Sequence, residues 1–455
     1  MADHALIKKY DVPGPRYTSY PTVPYWNTDD FSVARWEETV ERVFRECNDS
    51  DGISVYIHLP FCESLCTFCG CTKRITRNHD VESPYIDNLL AEWSARLADF
   101  PSRPRVSEIH LGGGTPTFFA PDNLKRLIEG LLAETDKAEP TEFGFEAHPN
   151  STTEAHLRTL RELGFSRLSL GVQEFNPQVQ SMINRIQPYE RVREVTLAAR
   201  DLGYASVNFD LVYGLPAQTP ACVEDTISKV ETLMPDRIAF YSYAHVPWIR
   251  GIGQRKFSES DLPRGAEKRR LYEMGRERLE HAGYREVGMD HFALEHDSLY
   301  GAMLNGRLHR NFMGYTNATS RLMVGLGMSS ISDSWYGFAQ NEKKVETYSA
   351  AISEGRTPVF RGHILDDEDL LLRRHILNLM CRFETTWGEE DLAVPAFSEG
   401  LSRLDEMAAD GLVEFESNAL RILPAGRAFI RNVCMVLDAR LWRHQPDSRI
   451  FSQVI

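Results

Sequence analysis

The chain has 455 residues, a formal net charge of −14 and 42% apolar residues. The negative balance argues against nonspecific nucleic-acid binding, which needs clustered Lys and Arg. No apolar run approaches the roughly 18 residues that a bilayer span needs. Residues 1–30 are polar and broken by proline, unlike a signal peptide. We therefore expect a cytoplasmic protein with a large core and more than one domain.

From Gly52 onward, short apolar segments alternate with amphipathic helical ones. This alternation predicts parallel β/α units in one sheet. Polar or glycine residues follow each strand, and ligands bind at the carboxyl ends of such strands. We therefore expect an α/β fold, a partial (β/α)6 barrel with one central site. The six predicted strands are SVYIHLP, VSEIHLGGG, EFGFEAHP, RLSLGVQ, SVNFDLVYGLP and RIAFYSYAH.

The C-terminal part of the chain has a different pattern. It predicts a mainly helical, winged-helix-like module in which a hairpin turns at Ser417–Asn418 between helices. We divide the chain into an N-terminal segment (1–50), a catalytic domain (51–365) and a C-terminal helical domain (366–455).

Four of the eight cysteines lie within ten residues, with the spacing C-x3-C-x2-C-x-C. In a reducing compartment such a cluster suggests metal or redox chemistry rather than disulfides. Structural zinc would need a second ligand pair further along, and a redox C-x-x-C would not explain Cys62. An iron–sulfur cluster on Cys62, Cys66 and Cys69 fits the spacing and leaves one iron open. Cys71 has no derivable role, and we leave it open between catalysis and packing.

The remaining cysteines show no ligand spacing. We expect them to be small buried apolar residues. They are Cys47, Cys222, Cys381 and Cys434.

Further stretches accompany the cysteine motif, and together they resemble the oxygen-independent coproporphyrinogen III dehydrogenases of the radical S-adenosylmethionine superfamily. The resemblance covers nearly the whole chain. It implies an oxidoreductase of heme biosynthesis that converts two propionates of coproporphyrinogen III to vinyl groups, giving protoporphyrinogen IX and carbon dioxide. The stretches are PRYTSYPT at 15–22, GGGTPT at 112–117, NFDLVYGLP at 208–216, GMDHFA at 288–293 and RNVCMVLDAR near the C-terminus.

The resemblance also implies the cofactors. One [4Fe–4S] cluster would be held by Cys62, Cys66 and Cys69, together with two molecules of S-adenosylmethionine, one of which yields a 5′-deoxyadenosyl radical. Hydrogen-atom abstraction suits this substrate because a protein base near pH 7 cannot deprotonate the propionate β-C–H. We expect a reduced flavodoxin- or ferredoxin-type protein as electron donor and a monomeric enzyme.

Site residues follow from the same resemblance. Tyr56 and Cys71 are candidates for catalysis, and the first S-adenosylmethionine is expected at Tyr56, Gly113 and Glu146. Some of these positions have ordinary structural alternatives, which stay open. Phe68 could pack within its loop, Arg185 could lie on the surface, and Ala244 and Ile331 could belong to the core. An unpaired carboxylate is costly to bury, which favours a polar site at Asp210. The second molecule is expected at Phe68, Gly114, Thr115, Gln173, Arg185, Asp210, Ala244 and Ile331.

A substrate with four propionates needs cationic partners, and Arg suits carboxylates. The PRYTSYPT segment is a candidate lid over the substrate. Met313 departs from the glutamine that the family has, which places a polar contact there in doubt. The candidate cations are Arg250, Arg255, Lys256, His309 and Arg310.

Three alternatives compete with this interpretation. A heme-binding or heme-transfer paralogue typically lacks the counterpart of Cys71 and the PRYTSYPT segment, and both are present here. A nucleic-acid-binding winged helix is opposed by the acidic to neutral stretch RLDEMAADGLVEFESNALR. Many radical enzymes that add sulfur to tRNA carry a second cluster, and no second cysteine triad exists in the sequence.

Overall fold

The structure is a computed structural model, and it describes residues 4–249, 253–254, 256–446 and 448–455. Most of its strands belong to one twelve-stranded sheet, which helices cover. In chain order the strands are β1 (Ile53–Leu59), β2 (Phe61–Cys62), β3 (Arg74–Ile75), β4 (Arg105–Gly113), β5 (Asp136–Ala147), β6 (Phe165–Gln173), β7 (Ser206–Tyr213), β8 (Arg237–Ser242), β9 (Arg285–Glu286), β10 (His291–Ala293), β11 (His309–Asn311), β12 (Gly314–Thr316), β13 (Met323–Leu326), β14 (Ile331–Asp333), β15 (Gly337–Asn341), β16 (Val359–Ile364), β17 (Glu384–Thr386), β18 (Val413–Glu416) and β19 (Ala419–Ile422).

Helices connect the strands and form most of the C-terminal region. Several begin at side-chain caps, such as Ser32, Thr153 and Thr219, whose hydroxyls accept from backbone N–H groups of the first turn. None in the described part of the chain is long and apolar enough to cross a bilayer. The helices are α1 (His4–Tyr10), α2 (Val33–Cys47), α3 (Glu82–Asp99), α4 (Pro121–Leu132), α5 (Glu154–Glu162), α6 (Pro177–Met182), α7 (Tyr189–Asp201), α8 (Pro220–Leu233), α9 (Gly265–His281), α10 (Ser298–Leu304), α11 (Val345–Ser353), α12 (Asp367–Arg382), α13 (Glu389–Leu392), α14 (Pro395–Ser402), α15 (Asp405–Ala409), α16 (Ile430–Leu437) and α17 (Ala439–Arg443).

The six predicted strands are confirmed as neighbours in one sheet. β1, β4, β5, β6, β7 and β8 lie side by side in chain order, and every pair among them is parallel. The sheet has two edges, at β16 and β9, so the partial barrel is confirmed. Six further strands of two to six residues extend it beyond β1 and β8. The sequence did not predict these because such short strands show no clear periodicity.

The C-terminal region contains the expected hairpin. β18 and β19 pair in antiparallel fashion around Ser417–Asn418, and β17 adds a third strand. Helices precede and follow the hairpin, which confirms the winged-helix-like arrangement. The four dispersed cysteines are all buried, as expected.

The first fifty residues contribute to two hydrophobic cores. Helix α2 packs its Trp36 and Phe44 into the core around the large sheet. Tyr10 and Tyr17 instead belong to the core of the C-terminal region, together with residues of α12, α14 and α16. The three-part division of the chain at residues 50 and 365 stays a prediction.

Arg431 of α16 fixes the N-terminal segment to the C-terminal region. Its guanidinium is buried and donates to the carbonyls of Gly14, Pro15 (2.8 Å), Gln453 (3.2 Å) and Val454 (3.1 Å). Burial lowers the pKa of Arg431 to about 9, with the charge of Arg16 as a further cause. One side chain thus joins two distant parts of the chain through main-chain acceptors alone.

Replacing Arg431 tests this anchor. Arg431→Met should lower the free energy of unfolding by roughly 2–5 kcal/mol, because several buried carbonyls lose their donor. Trypsin should then cleave faster after Arg16, measured by mass spectrometry of the native digest. Arg427→Met, at an exposed position in the same region, is the matched control. Unchanged stability and cleavage would show that the anchor is dispensable.

Candidate active site

One cavity of about 470 Å³ opens inside the parallel sheet toward the carboxyl ends of its strands. Side chains from β4 to β8 line it together with the cysteine loop, which we define as residues 62–71. Twelve of the predicted site residues lie in its wall: Cys62, Cys66, Phe68, Cys69, Cys71, Gly113, Gly114, Thr115, Glu146, Gln173, Arg185 and Asp210.

The cysteine loop is held at both ends and in its middle. β2 and β3 pair in parallel and close the loop. At its centre the Thr67 N–H donates to the carbonyl of Ile183 over 2.9 Å, and the Thr67 hydroxyl donates to that of Met182 over 3.0 Å. Asn184 donates to the carbonyl of Leu65 over 2.7 Å. The loop is therefore fixed against the end of α6.

Polar groups surround the thiols of the loop. The Cys62 sulfur lies 3.3 Å from the Thr115 hydroxyl, and Arg185 donates to the Cys66 sulfur over 3.7 Å. A hydrogen bond from the Cys71 thiol lowers the pKa of Cys69, and the same contact raises the pKa of Cys71. Cys71 therefore lies directly beside Cys69, one of the three predicted ligands.

The donor set fits an iron–sulfur cluster. All eight cysteines are free thiols, and three at the predicted spacing line the same cavity. No group of three His, Cys, Asp or Glu side chains within the described ranges is close enough to bind a single metal ion. A [4Fe–4S] cluster places each cysteine on a different iron, so it needs no such convergence. Soft thiolates are the typical ligands of such clusters.

The glycine run at the end of β4 packs directly against the end of β1. Gly114 N–H donates to the carbonyl of Leu59 over 2.8 Å, and Thr115 N–H donates to that of Phe61 over 3.0 Å. Gly113 has a φ of +104°, and a Cβ there would lie 2.6 Å from the His58 ring. Only glycine fits this conformation and this contact.

Tyr56 lies behind the glycine run rather than in the cavity wall. Its hydroxyl is 3.2 Å from Nδ1 of His58, and its ring stacks on that of His110. Nε2 of His110 lies 3.5 Å from Oε1 of Glu146. Both histidines escaped the sequence analysis. Tyr56 and His58 are two residues apart in a strand, so their side chains lie on the same face. This spacing was the sequence signal that could have linked His58 to Tyr56.

Glu146 and Asp210 have opposite pKa shifts. Burial alone would raise the pKa of Glu146, but hydrogen bonds from His110 and the Gly113 N–H bring it below its usual value. Burial and the charge of Glu146 raise the pKa of Asp210 to about 6, although the Ser169 hydroxyl and Asn208 amide donate to it over 3.0 and 2.8 Å. Glu146 is therefore ionised at neutral pH, whereas Asp210 changes its protonation state near pH 6.

Arg185 and Gln173 join the loop to β6. Arg185 donates to the carbonyl of Gly171 over 2.6 Å in addition to its contact with Cys66. Gln173 has a φ of +65°, which turns the chain at the end of β6. Arg185 is therefore part of the cavity wall rather than a solvated surface residue.

Ala244 and Ile331 are less closely tied to the cavity. The Gln254 amide donates to the carbonyls of both Ala244 (3.1 Å) and Phe68 (2.8 Å), which places Ala244 next to the cysteine loop. Ile331 begins β14 and packs against a small core that contains Trp26 and Phe338. The structure does not place Ile331 in the cavity wall.

The cationic candidates lie in different places. Arg250 and Arg255 lie outside the described residues. Lys256 is exposed, whereas His309 lines a separate small cavity, where burial lowers its pKa to about 4 and leaves it neutral at pH 7. Arg310 is buried against Tyr315, a residue of the main cavity wall.

Comparison with known proteins identifies the family. Residues 56–230 match the model of the radical SAM superfamily. The oxygen-independent coproporphyrinogen III oxidase of Salmonella typhimurium is 38% identical over 460 residues, covering 100% of this chain and 98% of that protein. The Pseudomonas aeruginosa enzyme of the same name is 36% identical over 465 residues, with 100% and 98% covered.

Among solved structures, coproporphyrinogen III oxidase (HemN) from Escherichia coli, described as a radical SAM enzyme, matches with a TM-score of 0.88. It is 36% identical, and the match covers 96% of this chain and 99% of that one. This chain belongs to the oxygen-independent coproporphyrinogen III oxidase family. The family expected from the cysteine motif and its companion stretches is confirmed, and with it a radical SAM oxidoreductase.

The glycine run of this oxidase offers a steric test. A Cβ on Gly114 would lie 2.5 Å from the carbonyl carbon and oxygen of Pro60, which are main-chain atoms that cannot rotate away. Gly114→Ala should therefore destabilise the protein by about 1–3 kcal/mol and reduce activity at least tenfold. Gly301→Ala in α10, where a Cβ meets nothing within 4 Å, should change neither. Chemical denaturation and product formation measure the two effects.

Asp210 offers a test of the buried charge. Folding raises the pKa of Asp210 to about 6, so ionisation of this carboxyl destabilises the folded state. The free energy of unfolding should therefore fall as the pH rises from about 4 through about 6. Asp210→Asn should raise the free energy of unfolding by about 1–3 kcal/mol at pH 8 and have no effect below pH 4. Denaturant titrations at both pH values measure this, with Asp201→Asn as the exposed control. A variant less stable than the parent at pH 8 would contradict the assignment.

Proposed function

We propose that the chain catalyses the oxygen-independent oxidative decarboxylation of two propionates of coproporphyrinogen III, giving protoporphyrinogen IX. One observation carries this proposal: in a chain that covers 98% of a relative named as this oxidase, the cysteine loop, the glycine run and two carboxylates from the parallel strands share one cavity. A bound heme without catalysis is not favoured, because the full-length relatives named above are oxidases.

We assign the cluster to Cys62, Cys66 and Cys69, and we assign two S-adenosylmethionine molecules to the same cavity. When bound, these groups supply the hydrogen-atom abstraction that no side chain of the protein can perform. Arg185 donates to Cys66, and Lys73 donates to the carbonyls of Cys69 and Cys71. These two cations would offset the negative charge of cluster thiolates.

The remaining assignments follow the chemistry of the cavity wall. Ionised Glu146 suits ribose hydroxyls as a hydrogen-bond acceptor, and the Gly113 backbone lies beside it. We place the first S-adenosylmethionine there, with Tyr56 holding His110 behind it. We place the second molecule near Asp210, Gln173 and Arg185 with the remaining predicted residues: Phe68, Gly114, Thr115, Ala244 and Ile331. Cys71, in contact with Cys69, keeps its proposed catalytic role.

The proposal extends to the cellular setting. A one-electron carrier of the flavodoxin or ferredoxin type would reduce the cluster. We propose a cytoplasmic monomer that binds no nucleic acid, in which the C-terminal region and the PRYTSYPT segment form a lid over the substrate. Arg16 of that segment donates to the carbonyl of Ser242 at the end of β8, over 2.6 Å. This contact places the segment next to the cavity residue Tyr241.

An anaerobic assay tests the function. Protein loaded with iron and sulfide receives dithionite, S-adenosylmethionine and coproporphyrinogen III, and protoporphyrin is measured by fluorescence and chromatography after oxidation. Product should form, and Cys62→Ala should abolish both product and 5′-deoxyadenosine. Cys222→Ala, at a buried cysteine outside the loop, should keep activity.

Two results would contradict the proposal. Formation of 5′-deoxyadenosine without any porphyrin product would keep the radical chemistry but assign another substrate. Tight heme binding without either product, in protein with a full cluster, would favour the heme-transfer alternative.

A further inference from the structure

Arg310 is a buried cation whose hydrogen-bonding capacity is largely unused. It is only 6% exposed, yet its Nε and Nη1 groups have no hydrogen-bond partner within the described residues. Its Nη2 reaches only the carbonyl of Arg16, at 3.4 Å. Its guanidinium carbon lies 4.5 Å from the centre of the Tyr315 ring. Unpartnered donors on a buried charge are costly, which points to a ligand that supplies acceptors.

Other cations lie close to Arg310, together with the carboxyl group of Asp290. Burial raises the pKa of Asp290, and the nearby charges of Arg16, Arg431 and Arg310 oppose that rise. Lys268 is also nearby, since Arg16 and Arg431 help burial to lower its pKa to about 7. Within the part of the chain that the structure describes, Arg310, Arg16 and Arg431 form no ion pair within 4.0 Å. Lys268 instead donates to the carbonyl of Tyr243 (3.0 Å) and to the main-chain oxygen of Ile455 (3.2 Å).

Other buried arginines of the chain differ in this respect. Arg237 lies 2.6 Å from Asp297, and Arg373 lies 2.6 Å from Asp333. Arg431 has no carboxylate but is satisfied by four main-chain carbonyls. Arg310 has neither kind of partner for its Nε and Nη1 groups.

Arg310 lies directly behind the wall of the main cavity, packed against the ring of Tyr315. Its stacking partner Tyr315 lines that cavity, together with Tyr241 and His291. The hydroxyl of Tyr241 lies 3.3 Å from Nε2 of His291. Burial lowers the pKa of His291 to about 3, with the charge of Arg310 among the further causes. The imidazole is therefore neutral, and the positive charge at this wall belongs to the arginines.

We propose that Arg310, assisted by Arg16, binds one carboxylate of the substrate through its unpartnered N–H groups, at the wall formed by Tyr241, His291 and Tyr315. This inference rests on the proposed function, which supplies a substrate with four propionates. A carboxylate there would pair with the guanidinium of Arg310 and accept from its donors that otherwise lack partners within the described residues. Arg310 is thus a substrate-binding residue, whereas Arg431 and Lys268 contribute only charge.

Steady-state kinetics with coproporphyrinogen III test whether Arg310 binds a carboxylate of the substrate. Arg310→Gln should raise KM roughly 10- to 100-fold, the size of one charge-assisted buried contact, with a much smaller change in kcat. Arg310→Lys keeps the charge but not the guanidinium geometry and should give a smaller increase. Arg307→Gln, an exposed arginine three residues away, should leave both constants unchanged. The iron content and the cleavage of S-adenosylmethionine without substrate should be equal in all variants.

A binding titration separates this inference from the proposed function. Cluster-loaded enzyme is titrated by fluorescence with coproporphyrin III and with its tetramethyl ester, which has no carboxylate. The parent should bind the free acid more tightly than the ester, and Arg310→Gln should remove most of that preference. If the parent forms no vinyl product but this preference holds, the proposed function fails and the carboxylate site stands.

Two outcomes would contradict the proposed role of Arg310 in carboxylate binding. One is an unchanged KM in a folded Arg310→Gln variant, and the other is equal binding of acid and ester by the parent. The comparison of acid with ester in the parent, together with Arg310→Lys, decides the matter even if Arg310→Gln does not fold.

Discussion

The close contact between the ends of β1 and β4 is the constraint on which the site depends. Gly114 and Thr115 donate to the carbonyls of Leu59 and Phe61, so the chain entering the cysteine loop is fixed to the neighbouring strand. No side chain fits between the two backbones. The loop can therefore present its thiols only above the end of the sheet, where β5, β6 and β7 bring their own polar residues. The position of the site follows from strand pairing rather than from the loop itself.

Two carboxyl groups in this cavity differ in their protonation because they accept different hydrogen bonds. Glu146 is hydrogen-bonded by His110 and a backbone N–H, which together outweigh the cost of burial. Asp210 is bonded only by a hydroxyl and an amide, and it also experiences the charge of Glu146. Two adjacent ionised carboxylates would be costly in a buried site. The cavity therefore holds one fixed negative charge and one that titrates near neutral pH, so its net charge depends on what is bound.

Sequence reasoning recovered the parts of this structure that are local or repetitive. Each of the six parallel strands contains a short segment rich in apolar residues, and the cysteine motif and GGGTPT lie at or just after the ends of two of them. The short strands β9, β10 and β13 to β16 carry no periodic signal, and they form only because the large sheet provides edges to pair with. The roles of His58 and His110 are also tertiary. They depend on hydrogen bonds to Thr72 and Glu146, which are distant in sequence.

Sequence reasoning also could not tell which of two adjacent basic residues is charged at the main cavity. From sequence, Arg310 and His309 are adjacent and equivalent candidates, yet alternation in β11 places them on opposite faces. Arg310 packs against the ring of Tyr315, whereas burial in the small cavity lowers the pKa of His309 to about 4 and leaves it neutral at pH 7. Nothing in the local pattern distinguishes them, because the difference depends on what packs against each face of the hairpin.

Both ends of the chain contribute to the charge at this wall. Arg431 comes from α16 and Arg16 from the N-terminal segment, and both donate to main-chain carbonyls. Neutral acceptors stabilise a guanidinium without cancelling its charge, whereas a carboxylate would remove most of its field. A chain with a net charge of −14 thereby keeps a cationic region at one wall of its cavity. The C-terminal region and the N-terminal segment thus shape the electrostatics of a site whose other residues lie in the large sheet.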